Sequence, residues 1–305
     1  MQERNWQVLS GFVLKVIALL TMTFDHIGFF LMLGNNSGTS LYQVGFVFRC
    51  IGRIAFPLLI MLCAEGVRYS RHPWKYFLRL LIMDVAIKLV MVVYLYGINP
   101  NSYPGANDGV IQGNAFADLA LVALTLILLK LPGWKKSLAA LPIAFTCLVF
   151  AIQIYETSKG MVVVWLPSFL RPGYSLFGLL IALGFYFAYP IADRLCKPLR
   201  EAISMTEEAY RDTNAYRRLV NGIGSFALFA VTLIFWGLSY VYFDGAASLK
   251  PLDPYWMGLQ SYCLLALPLL FLYSGKRGYD SKPMRWITYL YYPVHMAVLL
   301  AIFWL

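Results

Sequence analysis

About nine stretches of roughly twenty mainly apolar residues divide this 305-residue chain, and that length is what an α-helix needs to cross ~30 Å of hydrocarbon at ~1.5 Å per residue. They run from Phe12 to Leu33, Val44 to Gly66, Tyr76 to Tyr96, Asn114 to Leu131, Leu138 to Tyr155, Tyr174 to Pro190, Ile223 to Phe243, Trp256 to Tyr273 and Trp286 to Trp304. The predicted fold is therefore all-α, a polytopic transmembrane helical bundle. Hydrophobic residues make up 60% of the chain and charged residues 13%, against ~45–50% and ~25% in soluble domains, so lipid is its main solvent. Trp and Tyr, abundant here, suit the two headgroup levels.

The net charge of +10 could signal nucleic acid, but in a membrane protein it reflects basic loops held on the cytoplasmic side. Lys and Arg concentrate after the second, fourth, sixth and eighth stretches and are sparse after the others. That alternation places the N-terminus in the cytoplasm, the short C-terminus outside, and favours an odd number of spans. The first apolar run has no small-residue cleavage site and continues past Asp25 and His26, so it is read as a retained span. Multi-pass insertion in a bacterial plasma (inner) membrane is the expectation, with lipid as a partner and no nucleic acid.

The chain is read as one domain over 1–305, with residues 191–220 as a solvated cytoplasmic connector in preference to a surface helix. Its string EAISMTEEAYRDTNAYRR is acidic early and basic late. The apolar residues Met161 to Leu170, ahead of Pro172, have the character of a re-entrant or interfacial segment. The five cysteines, Cys50, Cys63, Cys147, Cys196 and Cys263, form no CxxC pair and read as packing residues.

A charge near the bilayer centre costs several kcal/mol, so such residues face the bundle interior, find partners and carry function. Asp25 and His26 lie in the first stretch, Arg49 and Arg53 in the second, Arg79, Asp84 and Lys88 in the third, Asp118 in the fourth and His295 in the ninth; Glu65 sits near the end of the second. Arg49 and Arg53, Asp84 and Lys88, Asn114 and Asp118, and Tyr291 and His295 are each four apart and so neighbour one another on a helix. Lys15 and His26 share a face about 16 Å apart along the axis.

Asp84 and Lys88 read first as an internal salt bridge. A carboxylate beside an imidazole, as at Asp25-His26, has the makings of an oriented base. Adjacent helical residues diverge by about 100°, so pairing of Asp25 with an arginine of the second stretch is the competing arrangement. No GxSxG elbow, HExxH pair or GxxxxGK[ST] loop occurs, and three histidines without ligand spacing argue against a metal.

The strings LKVIALLTMTFDHIG, GRIAFPLLIMLCAEGVRYSR, NAFADLALVALTLILL, LYSGKRGY and YLYYPVH, in order from Leu14 to His295, resemble the TraX family, named for the conjugative pilin acetyltransferase. Phe-Ala-Asp at 116 to 118 departs from that pattern, which weakens the carry-over of Asp118. The family is similar in turn to the acyltransferase-3 group and to membrane heparan-glucosaminide N-acetyltransferases, the likeness lying in Lys15, His26 and the basic pair Arg49 and Arg53.

The resemblance implies transfer of an acetyl group from acetyl-CoA to an amine or hydroxyl of a cell-envelope acceptor, whether pilin-like peptide, glycan or lipid. His26 is the expected catalytic base, poised by Asp25, with Arg53 stabilising developing charge. Lys15, Arg49, Arg79, Lys276 and Arg277, with Arg68 and Arg71, are expected to serve the CoA phosphates. Glu65, Asp84, Lys88, Asn114, Tyr291 and His295 are expected to line the acceptor. A proton- or ion-coupled transporter is the alternative; neither internal repeats nor paired broken segments speak for it.

Overall fold

A computed structural model describes residues 6–93, 114–159, 161, 163–167, 170–242 and 257–304. Among them the chain is all-α: α1 Gly11–Leu33, α2 Ser40–Gly52, α3 Ala55–Tyr69, α4 Pro73–Val93, α5 Ala115–Leu129, α6 Ala140–Lys159, α7 Ser175–Ala202, α8 Glu207–Arg211, α9 Asn214–Tyr242, α10 Met257–Gln260, α11 Leu267–Phe271 and α12 Lys282–Trp304. Outward surfaces are apolar, as with Phe226, Leu233 and Val241 on α9, while Asp25, Arg53, Asp84, Asn114, Asp118, Gln260 and His295 are buried. That inversion of the soluble pattern belongs to a chain solvated by lipid.

Among the described residues six helical segments are long and apolar enough to cross a membrane: α1, Ser40–Tyr69, Gly133–Glu156, α7, most of α9 and most of α12. The sequence-based count of about nine differs for local reasons. Asn114, itself extended, caps α5 by accepting from Phe116 N–H at 2.9 Å and Ala117 N–H at 3.2 Å, and the helix it starts has 15 residues. The stretch from Trp256 to Tyr273 becomes α10, a 3-10 turn over Ser261–Ala266, and α11, which opens with Pro268 near its start. α4 has the length, 21 residues, but carries Lys75, Arg79, Asp84 and Lys88. The predicted ends at Tyr94 to Tyr96, Phe243 and Trp256 lie outside the described residues.

The second predicted stretch is broken at Arg53. Pro57 has no N–H to offer the Arg53 carbonyl four residues earlier, so the α ladder cannot pass this point unchanged. The turn tightens instead: Arg53 N–H bonds to the carbonyls of both Arg49 and Cys50, and Ile54 N–H to that of Ile51 at 3.2 Å. The sixth stretch does the opposite. α7 runs through Pro190 and Pro198 to Ala202, and α8 and the start of α9 occupy most of the rest of 191–220, so this polar segment is largely helical.

Contacts divide the chain into two compact units: Met1–Leu62 with Gly184–Trp236 and Gly258–Leu305, and Cys63–Leu183 with Gly237–Met257. In the first, α1 and α2 cross at glycines. A Cβ on Gly28 would stand 2.5 Å from the Gly45 carbonyl oxygen, and one on Gly45 would stand 2.9 Å from that of Gly28. Small residues are what let helices approach this closely where no hydrophobic effect drives them together. Gly52 faces Asp25 in the same way, so the crossing lays the end of α2 against the middle of α1.

At the end of this unit where α1 begins, the chain before it is tied to residues 272–277. Leu9 N–H bonds to Leu272 O at 2.9 Å, Ser274 N–H to Leu9 O at 2.8 Å and Gly11 N–H to Lys276 O at 2.8 Å. Gly275 and Gly278, at φ of 71° and 73°, supply the left-handed turns that this strap requires. In the second unit α5 is the buried centre, packed by α4 and α6.

Candidate functional site

The α1–α2 crossing brings two guanidinium groups onto one carboxylate. Asp25 Oδ2 accepts from Arg49 Nη1 at 2.8 Å, and Asp25 Oδ1 accepts from Arg53 Nη2. The four-residue spacing of the arginines gives both the same helical face, and the close crossing at Gly52 removes any side chain that would stand between them and Asp25. Arg49 also lies 5.4 Å from the Phe29 ring centroid, a cation–π contact, and Arg53 Nη1 donates to Gln260 Oε1 at 3.1 Å. Of the two arrangements open to Asp25, the structure has the pairing with the arginines: the carboxylate faces α2, and His26, about 100° round the helix, faces elsewhere, so His26 is not poised by direct contact with Asp25.

His26 faces α12. Its Nδ1 is 2.7 Å from His295 Nε2, and His295 Nδ1 is 2.8 Å from the carbonyl oxygen of Tyr291. The proton positions follow from the partners. A carbonyl only accepts, so His295 Nδ1 carries the hydrogen; the neutral ring then presents a bare Nε2; His26 Nδ1 must donate to it. The lone pair of the pair is left on His26 Nε2, the atom from which a base or nucleophile acts. Should His26 take up a second proton, its Nδ1–H still has an acceptor.

Aromatic rings hold this dyad. Tyr291 stacks on His295 at 5.2 Å, and Tyr292 stands edge-on to both imidazoles, at 5.8 Å from His26 and 5.5 Å from His295. Thr23 Oγ1 and Tyr291 Oη, 2.7 Å apart, clamp α1 to α12 one turn from the dyad. Tyr291 and His295, read from sequence as acceptor-lining, are therefore partners of His26 and of its helix.

The polar residues of the second unit form their own cluster. Lys88 Nζ donates to Asp84 Oδ2 at 2.6 Å, as the four-residue spacing suggested, and Asn114 Nδ2 donates to Asp84 Oδ1 at 2.8 Å. Asp118 accepts three backbone hydrogen bonds, from Gly173, Tyr174 and Ser175 at 2.9, 3.0 and 2.9 Å, and so caps α7 from a neighbouring helix. Arg171 grips Glu156 with both terminal nitrogens and closes the segment after α6. Glu65 is half-buried on α3, and Arg79 is exposed two turns into α4.

The residues expected to serve phosphate fall in both units. Arg79 belongs to the second. In the first, Lys15 is half-buried in the field of Asp280, Arg277 and Arg285, while Lys276 and Arg277 are exposed on the strap that meets the start of α1. Beside them Arg217 lies between the rings of Tyr189 and Tyr273, 5.5 and 5.6 Å from their centroids. Asp280, outside the helices, is held below the usual carboxylate range, first by its hydrogen bond from Arg285 and then by the charges of Arg285, Arg277 and Lys15, against the opposing effect of desolvation.

Gln260 and Tyr292 were not singled out by sequence. Gln260 could have been: an amide in an otherwise apolar run carries an unmet hydrogen-bonding need for the same reason a charge does. Tyr292 carried no such signal, since tyrosine is common throughout the chain.

Residues 10–195 match the protein family described as TraX protein. A probable fimbrial assembly protein FimC, serogroup H1, of Dichelobacter nodosus is 30% identical over 146 residues, covering 47% of this chain and 53% of that protein. The chain thus spans about half the length of this curated relative. No solved structure gives a significant match.

Proposed function

The chain belongs to the TraX family, and from that membership we propose that it is an integral-membrane acyltransferase moving an acetyl group from acetyl-CoA to an amine or hydroxyl of a cell-envelope acceptor. The single observation that carries the reading is the dyad: a half-buried His26 and a buried His295 whose hydrogen bonds leave His26 Nε2 as the basic nitrogen.

In the proposed reaction His26 Nε2 takes the proton of the acceptor N–H or O–H as the heteroatom attacks the thioester carbon. The carbon–sulfur bond breaks as the tetrahedral intermediate collapses, and the proton on His26 passes to the departing sulfur, releasing coenzyme A as its thiol. His295 holds the tautomer and shares the positive charge. Asp25 serves at one remove, orienting Arg49 and Arg53, whose guanidinium groups suit developing negative charge. Lys15, Lys276, Arg277 and Arg217 are proposed to attract the CoA phosphates at the end of the bundle where α1 begins, about 16 Å along the helix from His26.

The fimbrial assembly name borne by the relative favours an envelope polypeptide over a glycan or lipid as acceptor. Purified protein in liposomes, given acetyl-labelled acetyl-CoA and a mixed pool of envelope polypeptides, glycans and lipids, should move label to an acceptor. Solute or proton flux without label transfer would replace the enzyme by a transporter.

A further inference from the structure

Gln260 closes α10 and is 1% exposed, and its amide nitrogen Nε2 has no hydrogen-bond partner among the described residues. A flipped amide cannot explain this. Gln260 accepts from Arg53 Nη1 at 3.1 Å, and a guanidinium only donates, so the oxygen must be the end that faces Arg53. The NH2 end is thus turned from Arg53 and is buried, with two donor hydrogens unmet among the described residues. Leaving such a group dry and unpaired is expensive, and in a chain solvated by lipid there is little water to relieve it.

An unmet donor selects its ligand. Only an acceptor oxygen or nitrogen can satisfy it; a cation cannot. Gln260 is oriented by a guanidinium that also holds the carboxylate of Asp25, one residue before His26 in the chain and about 100° from it round the helix. Among the described residues none gives that position an acceptor, which is the place a bound molecule could fill.

We propose that Gln260 Nε2 donates to the carbonyl oxygen of the acyl thioester and to the oxyanion that forms when the acceptor attacks it. This deepens the acyltransferase reading and rests on it. As the nucleophile adds, the carbonyl π pair moves to oxygen and Gln260 meets the new charge; as the carbon–sulfur bond breaks, the pair returns and the carbonyl is re-formed on the acceptor. No proton leaves Gln260 at any stage. Removing one such preorganised donor costs about 10²–10³ in kcat.

The test separates the two halves of the glutamine. Gln260→Glu keeps an oxygen for Arg53 and loses the donor; Gln260→Met loses both. In liposomes Gln260→Glu is expected to lower kcat at least about 10²-fold with the KM for acetyl-CoA little changed, at unaltered thermal stability. Binding gives a readout independent of turnover. The wild type should prefer a ketone analogue, in which a methylene replaces the sulfur of acetyl-CoA, over the alkyl analogue lacking the carbonyl oxygen, by about tenfold, and both variants should lose the preference. Wild-type kinetics in Gln260→Glu, or an intact preference in either variant, would overturn the role of Gln260 and leave the acyltransferase reading standing. A wild type that binds neither analogue and transfers no label would end both.

Discussion

The imidazole of His26 on the first helix and that of His295 on the last meet at 2.7 Å although 269 residues separate them. Their hydrogen bond is directional, running from His26 to His295 and on to the Tyr291 carbonyl. His26→Ala should therefore abolish transfer. His295→Ala should remove the tautomer lock and lower kcat by about 10–10²-fold, less than the ~10²–10⁴ that a general base supplies. His295→Gln, whose side-chain oxygen can accept from His26 Nδ1, should restore part of the loss. Steady-state kinetics on the three variants checks the order, and a His295→Gln no better than His295→Ala would show that the ring, not the acceptor, matters.

Asp25 behaves differently because its two partners are cations. Asp25→Asn leaves Arg49 and Arg53 without the carboxylate at the centre of the crossing, and removing one partner of a buried ion pair costs about 3–5 kcal/mol. The expected result is a large drop in thermal stability in detergent. Asp25→Ala paired with Arg53→Met should recover part of it. By contrast, His26→Ala should melt close to wild type.

The fold class and the buried charges were legible in the sequence because both follow from the same cost, that of a polar group in hydrocarbon. Partner choice was legible within a helix, as at Asp84 and Lys88, and left open between helices. Asp25 and His26 are adjacent in the chain, and only the α1–α2 crossing decides that the first turns to Arg49 and Arg53 while the second turns to His295. That crossing is set by Gly28, Gly45 and Gly52, which the reading of charge and hydropathy passed over, since a glycine shows its purpose only once the opposing backbone is known. The break at Arg53 was within reach, given Pro57 four residues on, but a hydropathy window averages over such a turn. Asp118 shows the reverse: read as a departure from a family pattern, it is the cap of α7.

A pH effect is expected at the strap. The Arg285 hydrogen bond, with the nearby cations, lowers the pKa of Asp280 in the folded state, so its contribution is present above the unfolded carboxylate value of about 3.9 and is lost as pH falls through the folded value. The group is largely solvent-screened, so the contribution is below ~1 kcal/mol. Melting of wild type and Asp280→Asn should differ slightly and constantly from pH 7 down to about pH 5 and converge below about pH 4. A gap that widens in acid would contradict the assignment.

Asp118 gives the sharpest test of what is architecture. Its two oxygens satisfy three backbone N–H groups at the start of α7, where Ser175 sits at φ 37°, a left-handed value that a residue with a Cβ adopts only when its surroundings hold it there. Asp118→Ala strands all three donors, and at ~1–3 kcal/mol for each unmet buried group the total destabilisation reaches at least ~3 kcal/mol. Asp118→Asn keeps one acceptor oxygen and should fall between. If the residue is a cap alone, the Asp118→Asn protein that remains folded should transfer acetyl groups with wild-type KM and kcat, so activity per folded molecule stays constant while yield and melting temperature fall. A drop in kcat at full folding would move Asp118 from architecture into the reaction.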